Sequence, residues 1–177
     1  QILLFGGGKK EVDVLNKMAE SFENVINLAG KIDLDEQMDV ISNLDVMLSM
    51  DSGNAHIAAM LGVKVITLWG VTHPYAGFAP FNQPEDHMLL SDRNTFPKIP
   101  TSVFGNKFPE SYKEASRTID PKAVINKIKS FKWWQITNNI LRLIIILFDH
   151  SKKTRNNLCS RSTTIRNIAN SKPCLGR

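Results

Sequence analysis

The stretch Val46-Met47-Leu48-Ser49-Met50-Asp51-Ser52-Gly53-Asn54-Ala55-His56-Ile57-Ala58-Ala59-Met60-Leu61-Gly62-Val63-Lys64-Val65-Ile66-Thr67-Leu68-Trp69-Gly70 decides the fold. Val46 to Met50 is a short apolar run that reads as a strand, and Ala55 to Leu61 follows as a helix. Val63 to Trp69, rich in β-branched residues and bounded by Gly62 and Gly70, is the next strand. Two strands joined by a single helix run parallel, with a right-handed crossover.

Upstream, the same alternation holds. Ile2 to Phe5 is an apolar run ended by Gly6-Gly7-Gly8, which suits a strand buried on both faces and a tight loop. Between Lys10 and Glu23, Val14, Leu15, Met18, Ala19 and Phe22 recur at helical spacing. Val25 to Leu28 is a second strand, stopped by Gly30. Asp33 and Glu36 have capping-box spacing and open a helix carrying Met38 and Ile41. Alternation with short connections predicts an α/β fold: a Rossmann-like parallel sheet with helices on both faces.

Downstream of Gly70 the pattern breaks into a Pro- and aromatic-rich loop, Thr72 to Pro84, then a strand at His87 to Leu90 and a long irregular stretch through Pro109. Loops of that length more often serve a function than not. Asp120-Pro121 then gives an N-cap with Pro at the first helical position, before a stripe of Val124, Ile128 and Phe131.

The formal charge of +5 conceals a division. Residues 1–130 hold 13 Lys and Arg against 16 Asp and Glu, and residues 131–177 hold 9 against 1. Basic character confined to the end of the chain gives no reason to expect a nucleic-acid partner. Cys159 and Cys174 fit neither a CxxC redox pair nor a zinc site. The sequence opens at Gln1 directly in an apolar run, as expected of a start within a longer protein.

Chemistry is expected where the strand ending at Met50 hands over to the next helix, because ligands of open α/β sheets settle beyond the carboxyl ends of the strands. The amides of Ser52, Gly53 and Asn54 and the helix dipole favour a diphosphate there, and His56 can donate to it. Asp51, an anion itself, is better suited to accepting hydrogen bonds from sugar hydroxyls. The same residues also suit an ordinary helix start, with Asp51 or Ser52 as cap and His56 as a first-turn histidine, so residue chemistry leaves both readings open. Lys9 and Lys10 follow the glycines, but without P-loop or GxGxxG spacing they read as a solvated helix start. No third ligand beside His56 and His73 makes a metal site, and His73 reads as a loop residue.

Asp51-Ser52-Gly53, His56, Ala58-Ala59, Leu61-Gly62 and the run Trp69-Gly70-Val71-Thr72-His73-Pro74 resemble the signature of glycosyltransferase family 9, the ADP-heptose:lipopolysaccharide heptosyltransferases. That signature runs Asp-Ser/Thr-Gly, His, Ala-Ala, Leu-Gly and Phe-Gly-x-Thr-x-Pro. Leu4 to Gly8 and Asn27 to Lys31 are similar to two earlier landmarks, so the resemblance covers roughly residues 1–130. It implies the C-terminal, donor-binding half of a GT-B enzyme, with residues 1–131 as the nucleotide-sugar domain, truncated at its N-terminal side. It further implies that Asp51 holds the sugar and that Ser52, Gly53, Asn54 and His56 hold the diphosphate of a nucleotide sugar such as ADP-heptose. Gly6, Gly7, Gly8, Lys31 and Thr72 would lie around the donor.

The inverting reaction of that family needs no cofactor or metal and takes its base from the N-terminal domain, so no catalytic residue is expected in this chain. The acceptor, a lipopolysaccharide or lipid A core, would be met through that missing domain, at the cytoplasmic face of the bacterial inner membrane. Trp69, Val71 and His73 depart from the usual Phe, Pro and acidic residue, which leaves the donor's identity open. The alternatives are a catalytically inactive fragment, a peripheral membrane-binding module, or another GT-B-like enzyme such as a nucleotide-sugar epimerase.

Residues 132–177 read as a basic tail of low order. The run from Ile140 to Phe148, with Arg142 embedded, is shorter than the roughly 20 residues a spanning helix needs. With Trp133-Trp134 it suits either a membrane surface or sequence that is not native to the domain.

Overall fold

The computed structural model describes residues 1–131 and the backbone of 143–146. Along the chain come β1 (Ile2–Phe5), α1 (Lys9–Glu20), β2 (Val25–Asn27), α2 (Leu34–Ser42), β3 (Val46–Met50), α3 (Gly53–Met60), β4 (Lys64–Trp69), β5 (Met88–Leu90), α4 (Pro121–Lys129) and β6 (Leu143–Ile146). The strands form one parallel sheet in the order β2-β1-β6-β3-β4-β5.

Alternation of side chains across each strand sorts the core into two layers. Leu3 and Phe5 of β1, Met47 of β3 and Val65 of β4 pack with Ile41 of α2 and with Ala55, Ala58 and Ala59 of α3. Their neighbours point the other way: Leu4 meets Leu15 of α1, while Val46, Leu48 and Ile66 meet Ile128 of α4 and Phe131. Helices therefore cover both faces, as the mixed α/β reading expects, and strands buried on both sides need the continuous apolar runs seen in the sequence.

The helix ends follow local chemistry. Asp33 accepts from the Glu36 amide at 2.9 Å while the Glu36 carboxylate takes the Asp33 amide at 3.0 Å, which completes the capping box that opens α2. Asp120 accepts from the Lys122 amide at the start of α4. On α1 the inner stripe is Val12, Leu15 and Met18; Val14 and Phe22, expected on the apolar face, are 53% and 60% exposed. The helix runs from Lys9 to Glu20, so Phe22 lies beyond its end.

The long irregular stretch after β5 is ordered by a small core of its own, in which Ile99, Tyr112 and Ala115 pack with Val71 and Phe96. The Tyr112 hydroxyl accepts from the Lys98 amide, and both the amide and the hydroxyl of Ser91 donate to the Trp69 carbonyl. This ties the segment back to the carboxyl end of β4.

One strand comes from beyond residue 131. Leu143–Ile146 fall in the segment 132–177 expected to be of low order, yet they form β6 in the middle of the sheet. The Leu-Ile-Ile-Ile run has the β-branched, uninterrupted apolar character that a strand with neighbours on both sides requires. The other residues of that segment, Trp133-Trp134 and both cysteines included, lie outside the described residues. Among the described residues no helix is long and apolar enough to cross a membrane.

Leu15 is fully buried and is the buried residue of α1. Leu15→Ala is therefore expected to lower unfolding free energy by about 2–5 kcal/mol, whereas Val14→Ala, on the exposed side, should change it by roughly 0.5 kcal/mol or less. Urea titration of both variants checks this, and equal losses would contradict the assigned inner face.

Candidate functional site

Because every strand points the same way, all the strand-to-helix turns gather along one edge of the sheet. The turn from β3 to α3 differs from its neighbours. Ser52 is the N-cap residue of α3, but its side chain makes no capping hydrogen bond. Its hydroxyl instead lies 2.7 Å from that of Ser49, which donates to the Met50 carbonyl, also at 2.7 Å. Both serines are buried. The Ser52 hydroxyl is thus engaged by Ser49 and does not cap α3.

Elsewhere the protein's own acids occupy the helix starts. Glu11 stands in the first turn of α1 and its carboxylate takes the Gly7 amide at 2.8 Å. Asp33 and Glu36 close α2, and Asp120 caps α4. The first turn of α3 has no acidic residue, in contrast to α1 and α2. Gly53 is exposed, and a methyl group built on it would meet nothing within 4 Å. Among the described residues no side chain stands within 4 Å of that added methyl group.

The residues expected from the sequence divide into two groups. Asp51, Ser52, Gly53, Asn54 and His56 share this turn; Asp51 and His56 are half-buried, and His56, three and four residues past Gly53 and Ser52, stands on their side of the helix. Thr72 lies on the crest after β4, the neighbouring strand, and is buried. Gly6, Gly7 and Gly8 follow β1, which is separated from β3 by β6, a distance of about 10 Å at ordinary strand spacing. Lys31 is exposed beyond β2, about 14 Å from β3 by the same spacing.

Gly8 has a φ of +97°, a conformation that keeps the position glycine. With the Gly7 amide already bonded to Glu11, the glycine loop is shaped by the start of α1. Sequence reasoning missed Ser49 and Glu11; the signals were a lone hydroxyl inside an apolar strand and an acid four residues past Gly7.

His73, set aside as a loop residue, is buried and its Nδ1 accepts from the Tyr75 amide at 3.2 Å, with the two rings 4.1 Å apart. Burial, and then the charge of Arg93, hold its pKa below the ordinary 6.5. A hollow of about 540 Å³ lies at the opposite, amino end of the sheet, lined by Lys64, Phe81, Gln83, His87 and Phe131 among others, and it contains none of the expected site residues. His87 there is also held below 6.5, chiefly by burial. Among the described residues no group of three or more His, Cys, Asp or Glu is placed to hold a metal ion.

The model of glycosyltransferase family 9 (heptosyltransferase) matches residues 1–106, which include the β3–α3 turn and Thr72. The chain belongs to glycosyltransferase family 9. Among similar curated proteins, a lipooligosaccharide heptosyltransferase 2 of Haemophilus influenzae is 38% identical over 77 residues, 41% of this chain and 22% of that protein. A lipopolysaccharide core heptosyltransferase, OpsX, of the same organism is 34% identical over 87 residues, 49% of this chain and 25% of its own length. A lipooligosaccharide heptosyltransferase 2 of Campylobacter jejuni is 23% identical over 133 residues, 73% of this chain and 40% of its own. The matched part thus spans less than half the length of each of these family 9 proteins. No solved structure matches the chain.

The two buried histidines make a pH prediction. A histidine whose folded pKa lies below its unfolded value contributes stability that is present above about 6.5 and is lost as pH falls through that range, because the unfolded chain binds the proton more readily. Unfolding free energy should therefore decline as pH falls below about 6.5. The double variant His73→Gln, His87→Gln should flatten that decline in chemical denaturation; a slope identical to that of the unaltered chain would contradict it.

Proposed function

We infer that residues 1–131 are the C-terminal, donor-binding half of a GT-B glycosyltransferase that passes heptose, or a related sugar, from a nucleotide diphosphate to a lipopolysaccharide-type acceptor. The observation that carries this reading is the start of α3: uncapped, free of acidic residues, exposed at Gly53, and beside Asp51 in a family 9 chain. The names of the similar proteins, heptosyltransferases of lipooligosaccharide and lipopolysaccharide, supply the sugar and the acceptor class. On this reading the work is done at the cytoplasmic face of the bacterial inner membrane.

In this assignment the Gly53 and Asn54 amides donate to the diphosphate, and the α3 dipole stabilises the charge that grows on it as it leaves. His56 donates a further hydrogen bond from the end of the same turn. Asp51 accepts from sugar hydroxyls and so fixes the anomeric carbon against the leaving oxygen. The acceptor hydroxyl oxygen attacks that carbon from the opposite face, the bond to the diphosphate oxygen breaks with its electron pair, and configuration inverts. The hydroxyl proton goes to a carboxylate base of the facing domain. Amides and dipole serve where other enzymes place a divalent cation, so the reaction is assigned no metal and no cofactor.

Gly53→Ala separates this site from mere helix packing. A methyl group there has room in the protein but intrudes where the diphosphate is assigned, so the variant should keep its unfolding midpoint while ADP affinity drops at least tenfold by calorimetry. Gly8→Ala should do the reverse, destabilising by about 1–2 kcal/mol because of its positive φ. Asp51→Ala is expected to weaken ADP-heptose about tenfold more than ADP, since a hydrogen bond to a charged group is worth about 1.5–3 kcal/mol. Unchanged affinities in Gly53→Ala, Asp51→Ala and His56→Ala, titrated with ADP, ADP-heptose and UDP-sugars, would remove the site.

A further inference from the structure

The hollow at the amino end of the sheet takes no part in the assigned donor site. One of its walls is the start of β4 together with the segment that leads to β5. There the Gln83 carboxamide accepts from the Val65 amide at 2.9 Å and donates to the Val63 carbonyl at 3.3 Å, which prolongs the edge of β4 ahead of its pairing with β5. The polar atoms of Gln83 are therefore spent on the wall. Beside it stand Met60, Lys64, Phe81, His87 and Phe131. With β4 six residues long, the hollow lies roughly 15–20 Å from the edge that carries the Asp51 turn.

Three features of the lining select a ligand. His87 is only 8% exposed, and its Nδ1 is buried without a hydrogen-bond partner, a costly state for a polar atom. Burial favours the neutral ring, in which one nitrogen donates and the other accepts. A hydroxyl does both, so it satisfies Nδ1 in either tautomer. The second feature is Lys64, whose ammonium stands 4.9 Å from the Phe131 ring centre and pairs with no carboxylate among the described residues. The neighbouring Lys127 is engaged by Asp86 at 2.8 Å, which also offsets the charge of that carboxylate beside His87. The third is the rim: Met60 and Phe81 are 78% and 72% exposed, and with Phe131 they offer apolar faces for C–H groups. A volume of about 540 Å³, mostly apolar walls and a few polar groups are the ordinary makings of a small-molecule site.

We propose that this hollow is a second carbohydrate site, which takes a sugar bearing an anionic group: a ring hydroxyl bonds to His87, the anion meets Lys64, and a C–H face of the sugar lies on Phe81. Each part excludes a simpler ligand. A bare anion leaves His87 and Phe81 unused, and a neutral sugar forgoes the attraction of Lys64. A sugar phosphate meets all three requirements, either as a free metabolite or as one phosphorylated unit of an oligosaccharide chain. The proposal stands on the lining of the hollow and is independent of which donor the Asp51 turn takes.

The test titrates the full chain with glucose 6-phosphate, beside glucose and inorganic phosphate, while NMR follows the imidazole C–H signals of His87, assigned through His87→Gln. Glucose 6-phosphate should move those signals and bind about tenfold more tightly than either half alone. Lys64→Gln should lower that affinity about tenfold and Phe81→Ala severalfold, each with a nearly unchanged unfolding midpoint, because both side chains are exposed. Gly53→Ala, at the other end of the sheet, should leave it unaltered, which keeps the outcome separate from that of the donor assignment. Displacement of glucose 6-phosphate by a deacylated, phosphorylated lipooligosaccharide would assign the hollow to an oligosaccharide chain, and its persistence to a free sugar phosphate; both outcomes support the site. Still His87 signals, equal binding of inorganic phosphate, or loss of glucose 6-phosphate binding in Gly53→Ala would overturn it.

Discussion

Parallel strands impose direction. Each strand must be followed by a crossover that returns the chain to the same starting edge, so the carboxyl ends of all the strands, and the helix starts that follow them, are delivered to a single edge of the sheet. In this chain that constraint puts the ends of β1, β2, β3 and β4 in a row, and with them the glycine loop, Lys31, the Asp51 turn and Thr72. The chemical possibilities of the domain depend on that row more than on any one residue. What distinguishes positions along it is how each helix start disposes of its unpaired amides: α1, α2 and α4 meet acids of the chain itself, whereas at α3 the capping hydroxyl is turned toward Ser49.

Much of this was legible because the local signals were redundant. The β3-α3-β4 unit was marked at once by apolar runs, small polar residues at the turn and bounding glycines, and the elements form within one or two residues of their expected ends. Asp33 with Glu36 and Asp120 with Pro121 wrote their caps into the sequence, since a cap is a contact between residues two to four apart. The side of α1 that faces the sheet was less legible, because Val14 and Leu15 are both apolar and only docking against Leu4 and Ala29 shows that Leu15 turns inward. The Ser49–Ser52 pairing was not legible at all. It needs the strand-to-helix geometry before two hydroxyls three residues apart can be seen to meet.

The central strand shows a different limit. A strand with neighbours on both sides carries no alternation, and a run of four apolar residues reads equally well as a buried strand or as part of a longer apolar surface segment. Measured against bilayer thickness, the run around Leu143–Ile146 looked like surface or foreign sequence; measured against the gap between β1 and β3, it supplies a missing partner. The deciding information is the count of strands elsewhere in the sheet, which is a property of the whole fold.

A donor diphosphate at the start of α3 would be attracted by local fields and not by net charge, since residues 1–130 carry more acids than bases. Two amides donating to a charged oxygen contribute about 1.5–3 kcal/mol each, and a helix start adds up to about 2 kcal/mol in favourable geometry. Against this stands an association cost of about 4 kcal/mol or more, which leaves an affinity near the millimolar range for these contacts alone. Tighter capture therefore requires charges and walls from across a cleft, and a two-domain glycosyltransferase gains by that arrangement. A domain that grips the diphosphate only weakly when open, and strongly when a second surface closes on it, binds the donor fully only where the base and the acceptor are also in place.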